Sequence, residues 1–375
     1  MLLTLLLASA IDVSAARYAV QSVRPVRELT RFPQTESIQT VYARDDHYEY
    51  LALPDGLYRG ARLGDPNQPL ERIGFAGQSV HSVAVHDGKL YVLRGEGSST
   101  LVSQPTLLRS TDRGATFTSL SENLKDCSLG PCEYLAGDDI AFAENRIFVN
   151  AGGNLLVSGD DGASWTILYG LPGSDGKPAA QLCPVEFQRV GERMLLGGEC
   201  PLDVAWLSAG TLRPDLLGWA EQPRAVNTPW MENRNIQFIR HLGGDEWLVA
   251  IEGAILKSSD NGASFRWVMH EDIDTHDFYP YLWEFLQPAA YPDLLIAAGF
   301  DKKEARAHLL YSPDRGESWI NASHLLGPTT FPSAVTNLTV DADGRLLAVV
   351  HDAGRFDLVE LEIGLAKEKR RAVRK

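Results

Sequence analysis

Leu155-Leu-Val-Ser-Gly-Asp-Asp-Gly-Ala-Ser-Trp165 decides how this chain is read, because three close copies of it occur elsewhere. They are Leu107-Leu-Arg-Ser-Thr-Asp-Arg-Gly-Ala-Thr-Phe117, Ile255-Leu-Lys-Ser-Ser-Asp-Asn-Gly-Ala-Ser-Phe265 and Leu309-Leu-Tyr-Ser-Pro-Asp-Arg-Gly-Glu-Ser-Trp319. The shared frame is apolar-x-Ser-x-Asp-x-Gly-x-Ser/Thr-aromatic. An apolar strand runs into Ser, and the chain then reverses. The carboxylates of Asp112, Asp160, Asp260 and Asp314 are expected to accept backbone N–H bonds two or three residues on, as in Asx turns. Gly114, Gly162, Gly262 and Gly316 are expected to take positive φ. The Ser or Thr bonds back across the loop, and the aromatic opens the return strand and buries between sheets. Read as acids or metal ligands, these Asp residues would be a repeated active site. Local bonding already engages the carboxylates, which favours a structural role.

Spacing turns the phrase into a period. Asp112, Asp160, Asp260 and Asp314 are separated by 48, 100 and 54 residues. The long gap hides a degenerate copy, Ala205-Trp-Leu-Ser208 followed by Leu217-Gly-Trp219, with a longer turn between. A period near 50 is the mark of a repeat architecture. Working outward, seven sheets are drawn. The first starts near Ser37–Tyr42, the second at Val80–Val85 with a turn at Asp87-Gly88, and the third at Ile140–Phe142. The fourth starts at Val185–Phe187, the fifth at Ile236–Ile239, the sixth near Tyr281–Phe285 and the seventh at Ala334–Val340. Alternation and two-residue turns support these strands. The last sheet has only three strands of its own. Tyr18–Val23 and the residues up to Arg31 are expected to supply its fourth, which removes an open edge.

The phrase resembles the Asp box, or bacterial neuraminidase repeat, of β-propellers. The resemblance implies an all-β, seven-bladed Asp-box propeller whose last blade is closed by an N-terminal strand. It also implies that the boxes lie on the face away from the usual ligand site. The similarity extends over nearly the whole length. Wider relatives include photosystem II assembly-factor propellers and, more remotely, sortilin-type receptors, which implies an assembly or scaffold role.

The 375 residues carry 44% hydrophobic and 22% charged side chains with a net charge of −14. That balance argues against a nucleic-acid binder, which needs a basic face. Residues 1–16 read as a secretion leader, with an apolar run and Val13-Ser14-Ala15 as the cleavage site. A mis-assigned start or a buried first strand are the alternatives. Residues 17–364 form the propeller and 365–375 a basic, solvated tail. Export, periplasmic or beyond, is expected, with no membrane span. Cys127 with Cys132, and Cys183 with Cys200, are read as two disulfides rather than free thiols or a zinc site. A monomer is expected.

In a propeller the ligand face is built by the loops entering each inner strand and by the loops between second and third strands. Those loops nominate Arg94, Asp139, Trp230, Arg234, Glu252, His276, Tyr281, Glu284, Asp301 and Asp352. The densest stretch is Glu271–Glu284, whose carboxylates, His and aromatics suit a protein or carbohydrate ligand. The alternative for that stretch is a packed connector. Sialidase-type hydrolysis is the enzymatic alternative. That family has an aromatic-Arg-Ile-Pro motif before its first blade, and the nearest match here, Thr30-Arg31-Phe32-Pro33, lacks the aromatic. Arg94, Arg234, Arg306 and Arg355 are the arginines a carboxylate clamp would use. No GxSxG, HExxH, Walker or dinucleotide motif is present. Asp341–Gly344 and Ser158–Gly162 lack a full calcium ligand set. No metal or cofactor is expected.

Overall fold

The structure, a computed structural model, describes residues 18–32, 40–95, 106–120, 139–151, 154–169, 184–199, 205–229, 235–270, 280–330 and 332–366. The leader, all four cysteines and residues 367–375 lie outside the described residues.

The described strands form seven four-stranded antiparallel sheets. Six follow chain order, over residues 41–74, 79–119, 139–169, 184–225, 236–270 and 280–321. The seventh holds Ser333–Val340, Leu346–Asp352 and Arg355–Leu365, and Tyr18–Arg31 completes it. The expected N-terminal closure is present. Its pairing runs from Tyr18 opposite Leu365 to Arg31 opposite Arg355. Successive sheets touch one another, mostly inner strand to inner strand, and the last touches the first. The sheets therefore stand as blades around an axis.

Strand alternation explains why the ring holds. Successive side chains point to opposite faces of a strand. In Leu346–Asp352, Leu346, Ala348 and Val350 pack on blade six, while Leu347 and Val349 pack on blade one. The same division recurs at every seam, so the core is seven clusters, each between two neighbouring blades. Asp87 and Gly88, with φ of 48° and 69°, make the expected tight turn in blade two.

The four repeated turns share one geometry. In the second, Ser158 Oγ donates to Asp160 Oδ1 at 2.8 Å and accepts from Gly162 N at 2.8 Å. Asp160 Oδ1 accepts from Ser164 N at 2.8 Å, and Asp160 Oδ2 from Ser164 Oγ at 2.6 Å. The other three repeat these bonds. The carboxylate thus reaches four residues on, farther than an Asx turn needs. Hydrogen bonds from Thr116 and Ser264 hold Asp112 and Asp260 down at about 2.

Each glycine is held at positive φ, and so is the residue before it: Arg113, Asp161, Asn261 and Arg315 lie between 56° and 59°. Each glycine also faces the preceding blade. A Cβ on Gly162 would meet Leu120 Cδ1 at 2.8 Å, and one on Gly262 would meet Leu195 Cδ2 at 2.9 Å. Phe117 and Phe265 pack into the seam with the preceding blade, as do Trp165 and Trp319.

A second fastener follows from the first. The residue before each glycine presents its carbonyl outward, and a cation of the previous blade bonds to it. Arg59 Nη1 donates to Arg113 O (2.7 Å), Arg109 Nη1 to Asp161 O (3.2 Å), Arg193 Nε to Asn261 O (2.8 Å) and Lys257 Nζ to Arg315 O (2.9 Å). The degenerate fourth-blade hairpin joins the scheme, because Arg146 Nε donates to Asp215 O at 2.9 Å. At the ring junction Arg345 Nη1 reaches Gly64 O at 2.9 Å. Blade six has no such turn ahead of it, because blade seven takes its outer strand from the other end of the chain.

Candidate functional site

The nominated loop residues separate into two groups. Trp230, Arg234 and His276 lie outside the described residues, and Asp139 contributes its backbone, paired with Asn150. Of the rest, most are held within their own blades. Arg94 Nη1 donates to Gln78 Oε1. Glu252, buried in the turn after the second strand of blade five, accepts from Asn235 Nδ2 at 3.1 Å. Asp301 caps its own turn, accepting from the N–H groups of Lys303 (2.9 Å) and Glu304 (3.0 Å). Asp352 accepts from Thr330 N at 2.6 Å. Arg306 pairs with Glu304, and Arg355 with Asp352 and Asp357. Arg31 ends the outer strand of blade seven, paired with Glu28 at 2.7 Å, rather than entering blade one.

Tyr281 and Glu284 lie on the inner strand of blade six, Pro280–Leu286, where the sequence started that strand, so their nomination as residues of the entering loop is corrected. Tyr281 stacks on Phe300 with 6.4 Å between centroids. A bulge between Tyr281 and Glu284 re-aims the strand. Equivalent bulges precede Ser82, Glu186, Phe238 and Asn337 on other inner strands. The residue after each bulge therefore sits at one level of the ring and leans toward the next blade.

At this level charge gathers on blades four to six. Glu186 meets Arg240 Nη1 of blade five at 3.4 Å, and that nitrogen also donates to Ile239 O at 2.8 Å. Glu284 Oε2 accepts from Leu338 N of blade seven at 3.2 Å. Leu338 belongs to an inner strand whose other edge is paired, so this N–H faces the axis. The carboxyl of Glu284 thus lies in the axial channel. Asn337 Nδ2 continues the polar wall to Thr40 O at 3.4 Å, and Thr40 and Thr336 hydroxyls meet at 3.0 Å. Trp283 Nε1 bonds Val335 O at 3.0 Å across the same seam.

Glu284 keeps some contact with the channel, yet protein surrounds it. Burial therefore pushes its carboxyl up to about 8, against the pull of the Leu338 N–H and Arg240, with Glu186 adding to the rise. At neutral pH Glu284 is an uncharged acid beside an ion pair. The sequence signal for this site is a repeated triplet, Val185-Glu-Phe187 and Trp283-Glu-Phe285, which puts a carboxylate inside an apolar inner strand.

Two other places resemble sites and are structural. Tyr42 Oη donates to Glu49 Oε1 at 3.1 Å, the residue types of an activated tyrosine. Burial first, and Glu49 next, raise the phenol far above its ordinary value, so it stays protonated. Glu49 also accepts from Leu63 N and from Ala342 N, which ties blade seven to blade one. A cavity of about 520 Å³ opens on the turn face beside Arg44, Asp45, His47 and Arg62. Its Asp45 is fully engaged by His47 N, Tyr48 N and Tyr50 Oη at 2.6, 2.7 and 2.8 Å. Among the described residues no group of three His, Cys, Asp or Glu side chains is placed to hold a metal. No described helix is long and apolar enough to cross a membrane.

Seven blades around a charged axial channel also fix the architecture. The chain is a seven-bladed β-propeller. Its fold is similar to that of YCF48 from Cyanidioschyzon merolae (TM-score 0.57, 14% identity, 91% of this chain and 99% of that one). It is similar to a GH74 xyloglucanase from Xanthomonas campestris (TM-score 0.56, 14% identity, 89% of this propeller but 53% of the enzyme). It is also similar to a chain of the mitotic checkpoint complex (TM-score 0.58, 11% identity, 96% and 99%). The propeller thus spans about half the length of the xyloglucanase chain. At these identities the likeness is one of fold. No protein-family model matches the sequence, and no curated protein matches it.

Proposed function

We propose that the chain is an exported, monomeric Asp-box propeller that binds a protein or glycan partner without catalysing a reaction. The observation that carries this reading is how the described clamp candidates are held: Arg94, Arg306 and Arg355, on blades two, six and seven, each bond to an acceptor of their own blade. A sialidase-type clamp needs three guanidinium groups converging on one carboxylate. The Tyr42–Glu49 pair is a strut at the ring junction, and its phenol stays protonated. The loops facing away from the repeated turns are the partner surface in this reading.

The test is a panel of fluorogenic sialosides and other glycosides incubated with the full chain. No turnover above buffer is expected. Turnover that is lost in an Arg94→Ala or Glu284→Gln variant would replace this reading with the hydrolase one.

A further inference from the structure

We propose that the axial channel, where blades six and seven meet, binds a primary ammonium group on Glu284 and Asn337. The inference rests on the ring and its channel, and not on the partner reading above. It begins from a count of donors and acceptors. Among the described residues, the guanidinium at this level is that of Arg240, matched by Glu186 at 3.4 Å and by Ile239 O at 2.8 Å. Glu284 receives one donor, Leu338 N at 3.2 Å, for its two oxygens. Asn337, the residue before Leu338, is only 8% exposed. Its Nδ2 donates to Thr40 O, while Oδ1 is buried without a donor among the described residues. Glu284 thus has no cation of its own, since Arg240 is taken by Glu186, and Asn337 Oδ1 has no donor among the described residues.

An alkylammonium supplies one positive charge and three N–H donors from a compact head. A divalent metal fits less well, because no third carboxylate or histidine stands with Glu284 among the described residues. A planar guanidinium duplicates Arg240. Solvent reaches this level of the ring, since Glu284 is only half-buried and, on blades five and four, the side chains of Arg240 and Glu186 remain 32% and 19% exposed. Burial keeps Glu284 protonated at neutral pH, so a bound ammonium displaces that proton and forms an ion pair. The chemistry is common to a free alkylamine and to a lysine side chain on a partner.

The experiment is calorimetric titration of the full chain with ethylammonium chloride at pH 7 in buffers of different ionisation enthalpy. N-acetyl-lysinamide, guanidinium chloride and calcium chloride at matched ionic strength are the comparators. Saturable ethylammonium binding with release of about one proton is expected, falling toward zero release at pH 9. Glu284→Gln should weaken binding at least about tenfold, while Asp46→Asn, exposed on the face of the repeated turns, should not change it. Binding of N-acetyl-lysinamide as well points to a lysine-bearing partner, and binding of ethylammonium alone to a small amine. No saturable binding of either amine, binding without proton release, or an equal response to guanidinium or calcium overturns the proposal. If Glu284→Gln does not fold, proton release by the unaltered chain decides.

Discussion

Lys257→Met should loosen the seam between blades five and six by a predictable amount. The side chain of Lys257 is 2% exposed, and its three N–H groups are all engaged. They reach Arg315 O at 2.9 Å, Glu317 Oε1 at 2.8 Å and Glu246 Oε1 at 2.8 Å. Methionine keeps the stem's volume and removes the charge. Hydrogen bonds to charged groups contribute about 1.5–3 kcal/mol each. The two carboxylates keep other partners, because Arg315 holds Glu246 at 2.7 Å and Arg266 holds Glu317 at 2.6 Å. Both are also partly solvated, at 29% and 47% exposed. The net loss is therefore near the low end for breaking a buried pair, about 3 kcal/mol. With an unfolding entropy of about 2.1 cal/mol/K per residue, the whole chain has about 0.8 kcal/mol/K, so Tm should fall by about 4 °C. Differential scanning calorimetry of both proteins at pH 7 measures this. Lys257→Arg should recover part of the loss. A Lys257→Met protein melting within about 1 °C of the parent would refute the claim that these cations clasp the blades.

Gly162→Ala should cost about 2–4 kcal/mol, from a φ of 86° and a Cβ 2.8 Å from Leu120 Cδ1, whereas Gly344→Ala, with φ of 81° and open space, should cost about 1 kcal/mol. Urea midpoints of the two variants give the comparison, and equal midpoints would count against the seam contact. Burial lowers His81 and His308 to about 4 and lowers His351 as well, so all three are neutral in the fold. The unfolded chain takes up protons below about 6.5, so stability is full above that pH and falls as pH drops toward 4. His81 and His308 should each contribute about 2 kcal/mol of loss between pH 7 and pH 5, read as a drop in Tm that His308→Gln reduces. Glu284 behaves in the opposite sense. Its raised value of about 8 means that stability is full below about 4.5 and is lost as pH rises through 8. Glu284→Gln, which keeps an acceptor for Leu338 N, should match the parent at pH 4.5 and melt higher at pH 8.5.

Much of the fold could be read from the chain because its repeated turn is local. Ser, Asp, Gly and Ser or Thr bond within seven residues, so Asp160 and its three counterparts announce themselves without tertiary context. The period then places the blades, and the missing fourth strand of the last blade points to Tyr18–Arg31. Even the degenerate hairpin was visible, since Ala205-Trp-Leu-Ser208 keeps the apolar strand and its Ser, Trp219 keeps the aromatic, and Ala209–Leu216 replaces the turn between them. The cationic clasps were not visible. Arg59, Arg146 and Lys257 read as ordinary exposed strand residues, and their acceptors are backbone carbonyls on another blade.

The candidate site was less legible for a related reason. Period-two alternation predicts which face a side chain takes only where the ladder is regular. The bulge between Tyr281 and Glu284 resets that count and puts Glu284 into the channel, on the strand rather than on the loop that precedes it. Asp301 and Asp352 were nominated because polar loop residues suggest binding. In the structure Asp301 caps its own turn, as loop carboxylates often do, while Asp352 ties down Thr330 in the segment that leads into blade seven.

The central claim is that the four repeated turns fasten blades and that ligand chemistry lies elsewhere in the ring. The most direct measurement compares Asp160→Ala and Asp260→Ala with the parent in two assays on the same samples, thermal melting and ethylammonium titration. Each variant loses the bonds to Ser158 and Ser164, or to Ser258 and Ser264. Both should melt at lower temperature and bind the amine with unchanged affinity when titrated well below their melting points. A variant that keeps the parental Tm but loses the ligand would contradict the claim and return these aspartates to the active-site reading.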